Sequence, residues 1–513
     1  MNRAAAQINP WLIAPVVALA AFMEIMDISI ANVSLPHIAG DLSSSQNEST
    51  WVLTSYLVTN AIVMPISGWL SNRFGRKRFF LTCIIGFTIA SLLCGLAPNL
   101  ASLIALRALQ GAAGGGLQPS GQAILADSFP PEKRGMASAV YGIAAVVAPT
   151  VGPTLGGWIT DNYEWRWIFL INVPVGIALV FLVMALIKEP PAAPNRTKGS
   201  SVDWLGFGLI GMSLGCLQVV MDRGQDADWF GSPFIAALAL MSAAAFVLLI
   251  WWELRQDEPM VNLRLLGNRD FGITFVLMLM LGFMLLGSTY LLPAYTQSLM
   301  GYHATDAGLV LTPGGIAAML MMPIVGRLMS KVDVRLLVAI GLGIGGFSLL
   351  WMTSFYLDVS FRFMMTTRIV QAIALGFLFV PLNTMAFKGI EPAQTNNASA
   401  LINLARNFGG SIGISFASTF LTRREQFHQS RLVETVQSLN GAYPDYAAHL
   451  AHTLGTTPDS ATTLASLYQQ VTEQATLLSY LEDFKVVGLI FLAMLPLLLF
   501  VRPAKGRTAA VMH

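Results

Sequence analysis

The sequence predicts an all-α, polytopic membrane protein. Of its 513 residues, 55% are hydrophobic and only 11% are charged, whereas about 25% of the residues of soluble domains are charged. The charges cluster in short segments and leave apolar runs of the roughly 20 residues that a helix needs to cross a bilayer. Backbone groups in lipid must be hydrogen-bonded within their own segment, so runs of this length are helices rather than the short alternating strands of a barrel.

Fourteen apolar runs are long enough to be membrane spans. The first run lacks a small-residue cleavage site, so it is interpreted as a transmembrane helix rather than a removed signal. The three cysteines, Cys83, Cys94 and Cys216, lie within such runs, and neither a disulfide framework nor a metal site is expected. In chain order, the predicted spans are 11–34, 48–71, 79–97, 101–126, 135–160, 167–187, 203–221, 233–253, 271–296, 305–328, 335–355, 363–387, 396–421 and 484–501.

The distribution of Lys and Arg predicts the orientation of the spans. With the N-terminus inside, the inner segments hold 20 Lys and Arg residues and the outer segments hold 7. An excess of basic residues marks cytoplasmic loops, and a missed helix would invert the alternation downstream. We therefore expect both termini in the cytoplasm of a bacterium and the protein in its inner membrane.

An internal duplication predicts two halves. Gly68 and the basic run after it recur at Gly326, 258 residues later, and Arg107 with Gln110 recurs as Arg368 with Gln371, 261 residues later. Eight spans separate each feature from its copy, so both copies have the same orientation across the membrane. The expected domains are a six-helix half at 1–190, a linker with two additional helices at 191–265, and a second six-helix half at 266–513.

Five motifs carry a resemblance to a known family. They match, in order and on the appropriate helices, the first-helix, loop, fourth-helix and fifth-helix motifs and the extra central element of fourteen-span drug:proton antiporters of the major facilitator superfamily. Within that family the sequence most resembles EmrB-type multidrug exporters. The five motifs are Met26–Pro36, Gly68–Arg78, Leu103–Gly115, Ala148–Gly157, and Met221–Gly224 with Trp229.

The resemblance implies a major facilitator fold and a set of site residues. One position departs from the family pattern, because Asn72 stands where the loop motif usually has an acidic residue; its gating role cannot be carried over directly. The expected site consists of Asp27, Glu24 and Arg107 for proton coupling; Gly152, Pro153, Gly156 and Gly157 for packing in the antiporter motif; Gly68, Asn72, Arg73, Gly75 and Arg76 in the inner gate loop; and Asn32, Gln110, Arg368 and Arg406 as candidate substrate contacts.

Charged residues within the spans carry the mechanistic expectation. Glu24 and Asp27 lie three residues apart and hence on one helical face, and a carboxylate at the bilayer centre costs about 2.5–3.5 kcal/mol on insertion scales. Arg107 is the natural counter-charge, since a guanidinium does not deprotonate. The alternative is structural: Asp27 only fixes helix packing by bonding to Ser29, Asn32 or a neighbouring helix, and Arg107 bonds permanently to backbone carbonyls. For Arg368 and Arg406, no carboxylate within a span of the C-terminal half is expected as a partner, so structural and substrate-contact roles both stay open.

Two further segments each have a structural and a functional interpretation. Small residues at 148, 152 and 156, beside two prolines, predict close helix packing, which would also block ion leak while two domains rock. The polar outer segment 422–482 has helical composition at 422–440 and 460–480, so it is either a solvated connection or a hairpin that meets a periplasmic adaptor and an outer-membrane channel.

The expected function is proton-coupled export of hydrophobic or amphipathic compounds by alternating access. Two alternatives stay open: a dedicated exporter of one metabolite, siderophore or lipid, and a non-transporting membrane sensor. An enzyme is not expected, since no Ser-His-Asp set, phosphate loop or metal-ligand spacing occurs. No cofactor and no nucleic-acid partner are expected, and the formal net charge of +2 is too small to suggest nucleic-acid binding.

Overall fold

A computed structural model describes residues 9–188, 203–257, 259–436 and 442–501. Predicted features at Arg3, Arg196, Lys198 and residues 502–513, and most of the linker between the first half and the central helices, lie outside the described residues. The described chain is helical and contains no strand.

The described residues of the N-terminal half form nine helices, and short breaks divide two of the spans. Gly115 and Gly116 interrupt the fourth span between α5 and α6, and Ile171 separates α8 from α9 in the sixth. The helices are α1 Pro10–Asp41, α2 Gln46–Ser49, α3 Trp51–Phe74, α4 Arg76–Gly95, α5 Leu100–Gly114, α6 Leu117–Ser128, α7 Arg134–Asn162, α8 Trp167–Leu170 and α9 Asn172–Leu186, with a 3₁₀ turn at Pro131–Lys133.

The central pair and the C-terminal half contain the remaining helices. The central pair is α10 Trp204–Arg223 and α11 Pro233–Glu253; the C-terminal half comprises α12 Arg269–Met300, α13 Ala304–Leu328, α14 Val334–Met352, α15 Phe361–Ala386, α16 Thr395–Val436, α17 Ala442–Leu454 and α18 Ala461–Leu492. Further 3₁₀ turns lie at Trp229–Gly231, Leu263–Gly267, Pro392–Gln394 and Leu495–Phe500.

Thirteen helices within the described residues are long and apolar enough to cross a membrane. The predicted span 396–421 is also helical, as the first part of α16, but its mean hydropathy is too low for it to be counted among the thirteen. Its hydropathy is low because it carries the polar residues Asn396, Ser399, Asn403 and Arg406. All four side chains are buried against protein rather than exposed to lipid. A helix lined in this way contributes to an internal interface, where polar side chains find partners.

The duplicated sequence corresponds to a repeated packing arrangement. In the N-terminal half α1 packs against α7, and in the C-terminal half α12 packs against α16. The halves meet where α7 packs against α13 and where α16 packs against α3 and α6. A substituent on Gly326 of α13 would lie 3.2 Å from the carbonyl of Gly135 on α7, so the two backbones approach closely at that point.

Helix α10 contacts both halves, whereas α11 is mostly exposed. The Gln218 amide donates to Ser411 Oγ on α16 at 3.1 Å, and Trp229 Nε1 donates to Thr419 Oγ1 at 3.1 Å. On the other side, Thr54 on α3 donates to the Asp222 carboxylate. The family-like motif at 221–224 therefore docks the end of α10 between the two halves.

Candidate functional site

Asp27 accepts hydrogen bonds from three side chains on two other helices, α5 and α9, within the N-terminal half. Its Oδ2 accepts from Arg107 Nη1 at 2.5 Å, and its Oδ1 accepts from Gln110 Nε2 at 2.9 Å and from Asn172 Nδ2 at 2.7 Å. All four side chains are buried, with exposed fractions of 2% or less. The sequence-predicted pair Asp27 and Arg107 thus forms a buried ion pair, and Gln110 belongs to it.

Arg107 makes several contacts in addition to its ion pair with the Asp27 carboxylate. Its Nε donates to the carbonyl of Val52 at 3.2 Å, its Nη1 also donates to Gln110 Oε1 at 2.8 Å, and its guanidinium lies 4.3 Å from the Tyr56 ring centre. Its Nη2 has no hydrogen-bond partner among the described residues. The guanidinium is therefore fixed in place whether or not Asp27 is charged, and it retains an unused donor.

Glu24 lies in the same protein interior, one helical turn before Asp27. It is fully buried; its Oε1 accepts from Asn60 Nδ2 at 3.0 Å, and its Oε2 has no hydrogen-bond partner among the described residues. Glu24 does not belong to the Asp27 network. It faces Gln118 and the positive charge of Arg406 instead.

Arg406 reaches from α16 of the C-terminal half into the N-terminal half. Its Nη2 donates to Gln118 Oε1 on α6 and, at 3.0 Å, to Asn403 Oδ1. Asn403 Nδ2 in turn donates to Gln122 Oε1 at 2.8 Å. The two halves share this polar cluster, and Glu24 of the N-terminal half lies beside it. For Arg406, whose structural and substrate-contact roles were both open, the structure shows neutral partners on both halves.

The glycines of the antiporter motif pack against α1, beside the carboxylates. A substituent on Gly152 would lie 2.5 Å from Ser29 Cβ, and one on Gly156 would lie 3.1 Å from the Ile30 carbonyl oxygen. Gly157 is buried and Pro153 is partly buried. The opposite side of α7 packs against α13, where Gly315 lies close to Thr150. Helix α7 therefore links the Asp27 helix to the other half.

The gate loop lies where α3 meets the start of α16. Gly75 separates α3 from α4 with φ of 95°, a conformation that favours glycine, and Arg76 forms an ion pair with Asp127. Asn72, the departure from the family pattern, accepts from Asn396 Nδ2 across the two halves. A neutral amide pair thus bridges the halves where the family pattern has an acidic residue. Arg73 packs over Trp69, 5.2 Å from its ring centre.

The candidate substrate contacts are not brought together. Asn32 is exposed in the C-terminal part of α1. Gln110 and Arg406 belong to the two clusters described above. Arg368 is buried in the C-terminal half, where its Nη1 donates to Gln371 Oε1 at 2.5 Å.

Two buried polar residues of the described region were not predicted from the sequence. Asn172 binds Asp27, but it begins α9 in an apolar run where a lone Asn gives no distinguishing signal. Asp483 is fully buried in α18 and neither of its carboxylate oxygens has a hydrogen-bond partner among the described residues. The prediction that the C-terminal half has no carboxylate within a span is wrong, because α18 begins at Ala461 and not near 484.

Comparisons with known proteins agree with this architecture. The family model described as Major Facilitator Superfamily matches residues 17–414. A solved structure titled as the human organic anion transporter MFSD10 (TETRAN) superposes with a TM-score of 0.59 at 13% identity, covering 96% of this chain and 99% of that one. At that identity the likeness shows the fold alone.

Closer relatives match over nearly the full chain. The Multidrug export protein EmrB of Escherichia coli (strain K12) is 38% identical over 490 residues, which cover 95% of this chain and 94% of that protein. The EmrB protein of Haemophilus influenzae is 36% identical, covering 95% of each chain. The Fatty acid resistance protein FarB of Neisseria gonorrhoeae is 36% identical, covering 94% of each chain.

Proposed function

The chain belongs to the major facilitator superfamily as an EmrB-type multidrug exporter of the bacterial inner membrane, and we propose that it exchanges protons for its substrates by alternating access. The substrates are hydrophobic or amphipathic compounds. One observation carries the proposal: the Asp27 carboxylate of α1 is buried against α5 and α9, and it is bonded to a guanidinium that has no other anionic partner among the described residues. Such a pair has two states, because a proton on Asp27 removes the charge that Arg107 binds.

The proton-motive force is large enough for this exchange. One charge moving through 100 mV yields about 2.3 kcal/mol before any pH gradient is added. Proton and substrate are coupled only if each has different affinities for the inward-open and outward-open states. The Asp27 pair supplies such a difference, because α1 packs against α7 and α7 contacts the other half. Loss of the ion pair alters how α1 packs against α7, and hence it alters the contact between the halves.

Glu24 gives the second proton site of the proposal, and it lies at the contact between the halves. Arg406 belongs to one half and Glu24 to the other, with Gln118 beside both. A charged Glu24 attracts Arg406 and favours the closed contact of α16 with α6. A protonated Glu24 weakens this attraction, so the halves separate more easily.

Substrate-induced proton movement in proteoliposomes tests the proposal. Each compound of a panel of chemically unrelated drugs is added to liposomes that contain a pH-sensitive dye and hold a pH gradient. We expect several drugs to dissipate the gradient in protein-containing liposomes and none to do so in empty ones. Response to one compound alone would favour the dedicated exporter instead, and binding without proton movement would contradict antiport.

Orientation is part of the proposal and has its own test. Single cysteines are placed in a variant without the native cysteines, and intact cells are treated with an impermeant thiol reagent. We expect labelling at Gln225 and Gly455 from outside, and none at Lys77 or Lys331, because the basic loops are cytoplasmic. Labelling of the Gln225 position from inside alone would contradict the arrangement with two additional central helices.

A periplasmic adaptor that leads to an outer-membrane channel is the proposed partner. Helices α16 and α18 continue past their apolar parts into a polar, paired extension that contains α17 between them. The matches to the relatives named EmrB and FarB cover 95% and 94% of this chain. A structured extension at the outer end of an exporter is a suitable docking surface, since interfaces of this kind are polar and partly wet.

A further inference from the structure

The C-terminal half contains an altered copy of the Asp27 site. Arg107 and Gln110 correspond to Arg368 and Gln371 at an offset of 261 residues. The same offset relates Asp27 to Ser288 on α12, the helix that corresponds to α1. The N-terminal half therefore pairs its buried guanidinium with a carboxylate, and the C-terminal half presents a hydroxyl at the equivalent position.

The side-chain geometry follows the sequence correspondence. Arg368 Nη1 donates to Ser288 Oγ at 3.4 Å and to Gln371 Oε1 at 2.5 Å, and its Nη2 donates to Thr289 Oγ1 at 3.1 Å. Ser288 thus occupies the place that Asp27 occupies in the first half. All partners of Arg368 among the described residues are neutral, and no ion pair with a carboxylate is formed there.

Two polar donors of this cluster are unused. Arg368 Nε and Gln371 Nε2 are buried and have no hydrogen-bond partner among the described residues. A buried guanidinium without an anion is costly, and Arg cannot lose its proton to escape that cost. Burying a donor without a partner adds a further penalty. Two orphan donors and one uncompensated positive charge together form a site that lacks an anion.

We propose that Arg368, Gln371, Ser288 and Thr289 bind the carboxylate of an exported amphipathic acid. A planar guanidinium with a neighbouring amide matches a carboxylate, which accepts two parallel hydrogen bonds. Access is available from α12, because Thr289 is partly exposed and Tyr290 is 37% exposed. This assignment rests on the proposed export function, and it names one substrate class for it.

The duplication supplies the decisive variant, Ser288→Asp. This change installs the carboxylate of the first half in the second, where it pairs with Arg368 and occupies the place of the substrate anion. Binding of radiolabelled decanoate and of its uncharged amide, decanamide, is measured in nanodiscs at pH 8. We expect Ser288→Asp to weaken decanoate binding by about tenfold or more and to change decanamide binding by less than about twofold.

Two further variants separate a binding role from a structural one. Arg368→Gln removes the charge without adding an acid and is expected to reduce decanoate binding in the same selective way. Ser330→Asp adds the same charge to an exposed serine after α13 and is expected to leave both ligands unaffected. Failure of the unmodified protein to prefer decanoate over decanamide would overturn the assignment. Equal losses for both ligands in Ser288→Asp and Arg368→Gln would overturn it too.

The same samples distinguish this assignment from the function on which it rests. If decanoate binding is charge-selective but no drug moves protons in proteoliposomes, antiport is wrong and the anion site stands. If drugs move protons while Ser288→Asp and Arg368→Gln bind decanoate like the unmodified protein, the anion site is wrong and antiport stands.

Discussion

Asp27→Asn is expected to reduce uphill, proton-driven export to the level of empty liposomes. Asparagine keeps the shape of the side chain and can still accept from Gln110 and Asn172, but it does not titrate in the relevant pH range. Drug efflux driven by an imposed pH gradient measures the loss. Exchange of labelled for unlabelled drug at equal pH on both sides is expected to persist, because that exchange requires no net proton transfer.

The fold is expected to survive this substitution, although removing one partner of a buried ion pair usually costs about 3–5 kcal/mol. The C-terminal half already contains a buried arginine without a carboxylate at the equivalent position. Arg368 is buried there beside Ser288 rather than beside a carboxylate, and it is held by Gln371 and Thr289. Arg107 has comparable neutral support from Val52 and Gln110. A thermal unfolding midpoint checks that the variant is folded.

Glu24→Gln provides the comparison for Asp27→Asn. It removes the other buried carboxylate of α1 while keeping the bond from Asn60. We expect this variant to retain coupled transport at a reduced rate, since Glu24 acts on the contact with Arg406 and not on the Asp27 pair. Full uphill transport by Asp27→Asn would refute the assignment of Asp27, and complete loss in Glu24→Gln alone would move the coupling site to Glu24.

The buried ion pair of Asp27 and Arg107 could be predicted from the sequence for a physical reason. Charged residues are so costly in a span that each one is informative, and Asp27 and Arg107 stand out in apolar runs. Gln110 follows Arg107 by three residues and so lies on the same helical face. Asn172 could not be found in this way, because an uncharged polar side chain in a span is inexpensive and its partner lies 145 residues away.

Contacts between the halves were the least predictable part. Gln118, the partner of Arg406 on α6, lies 288 residues earlier in the chain, and this contact depends on how two separate bundles pack together. Asp483 was missed for a simpler reason: hydropathy marks only the apolar run that begins at residue 484, whereas α18 begins 23 residues earlier, at Ala461. Sequence patterns predict helices and their faces, but they do not predict which faces meet when the two halves pack together.

The helical extension between α16 and α18 is stabilised by its own contacts. Arg424 Nη2 donates to Glu482 Oε1 at 2.8 Å, Thr476 Oγ1 donates to Glu425 Oε1 at 2.5 Å, and Gln429 Nε2 donates to Tyr468 Oη at 2.7 Å. The helical composition predicted around 422–440 and 460–480 is confirmed up to Val436 and from Ala461. Beyond the predicted span end at residue 421, α16 continues for about 22 Å at 1.5 Å per residue.

Shortening this extension is expected to abolish drug resistance in a double-membraned host while leaving transport in proteoliposomes nearly intact. The variant replaces residues 430–475 with a short Gly/Ser linker and keeps the Arg424–Glu482 pair that ties the two helices together. The Asp27, Glu24 and Arg406 clusters lie outside the deleted segment, so proton coupling is retained. Export across the second membrane is lost, because the surface proposed for the adaptor is gone.

A matched surface variant shows whether the loss reflects a missing contact or a damaged helix pair. Val433, Leu464 and Tyr468 are 41%, 46% and 59% exposed, so apolar surface on the extension is available to a partner. Replacing Val433 and Leu464 with lysine removes this surface and leaves the bonds of Arg424 and Thr476 in place. We expect resistance to fall as it does in the deletion, with unchanged proteoliposome transport. Loss of transport in both assays would make the extension part of the transport cycle, and loss in neither would leave it a solvated connection between two helices.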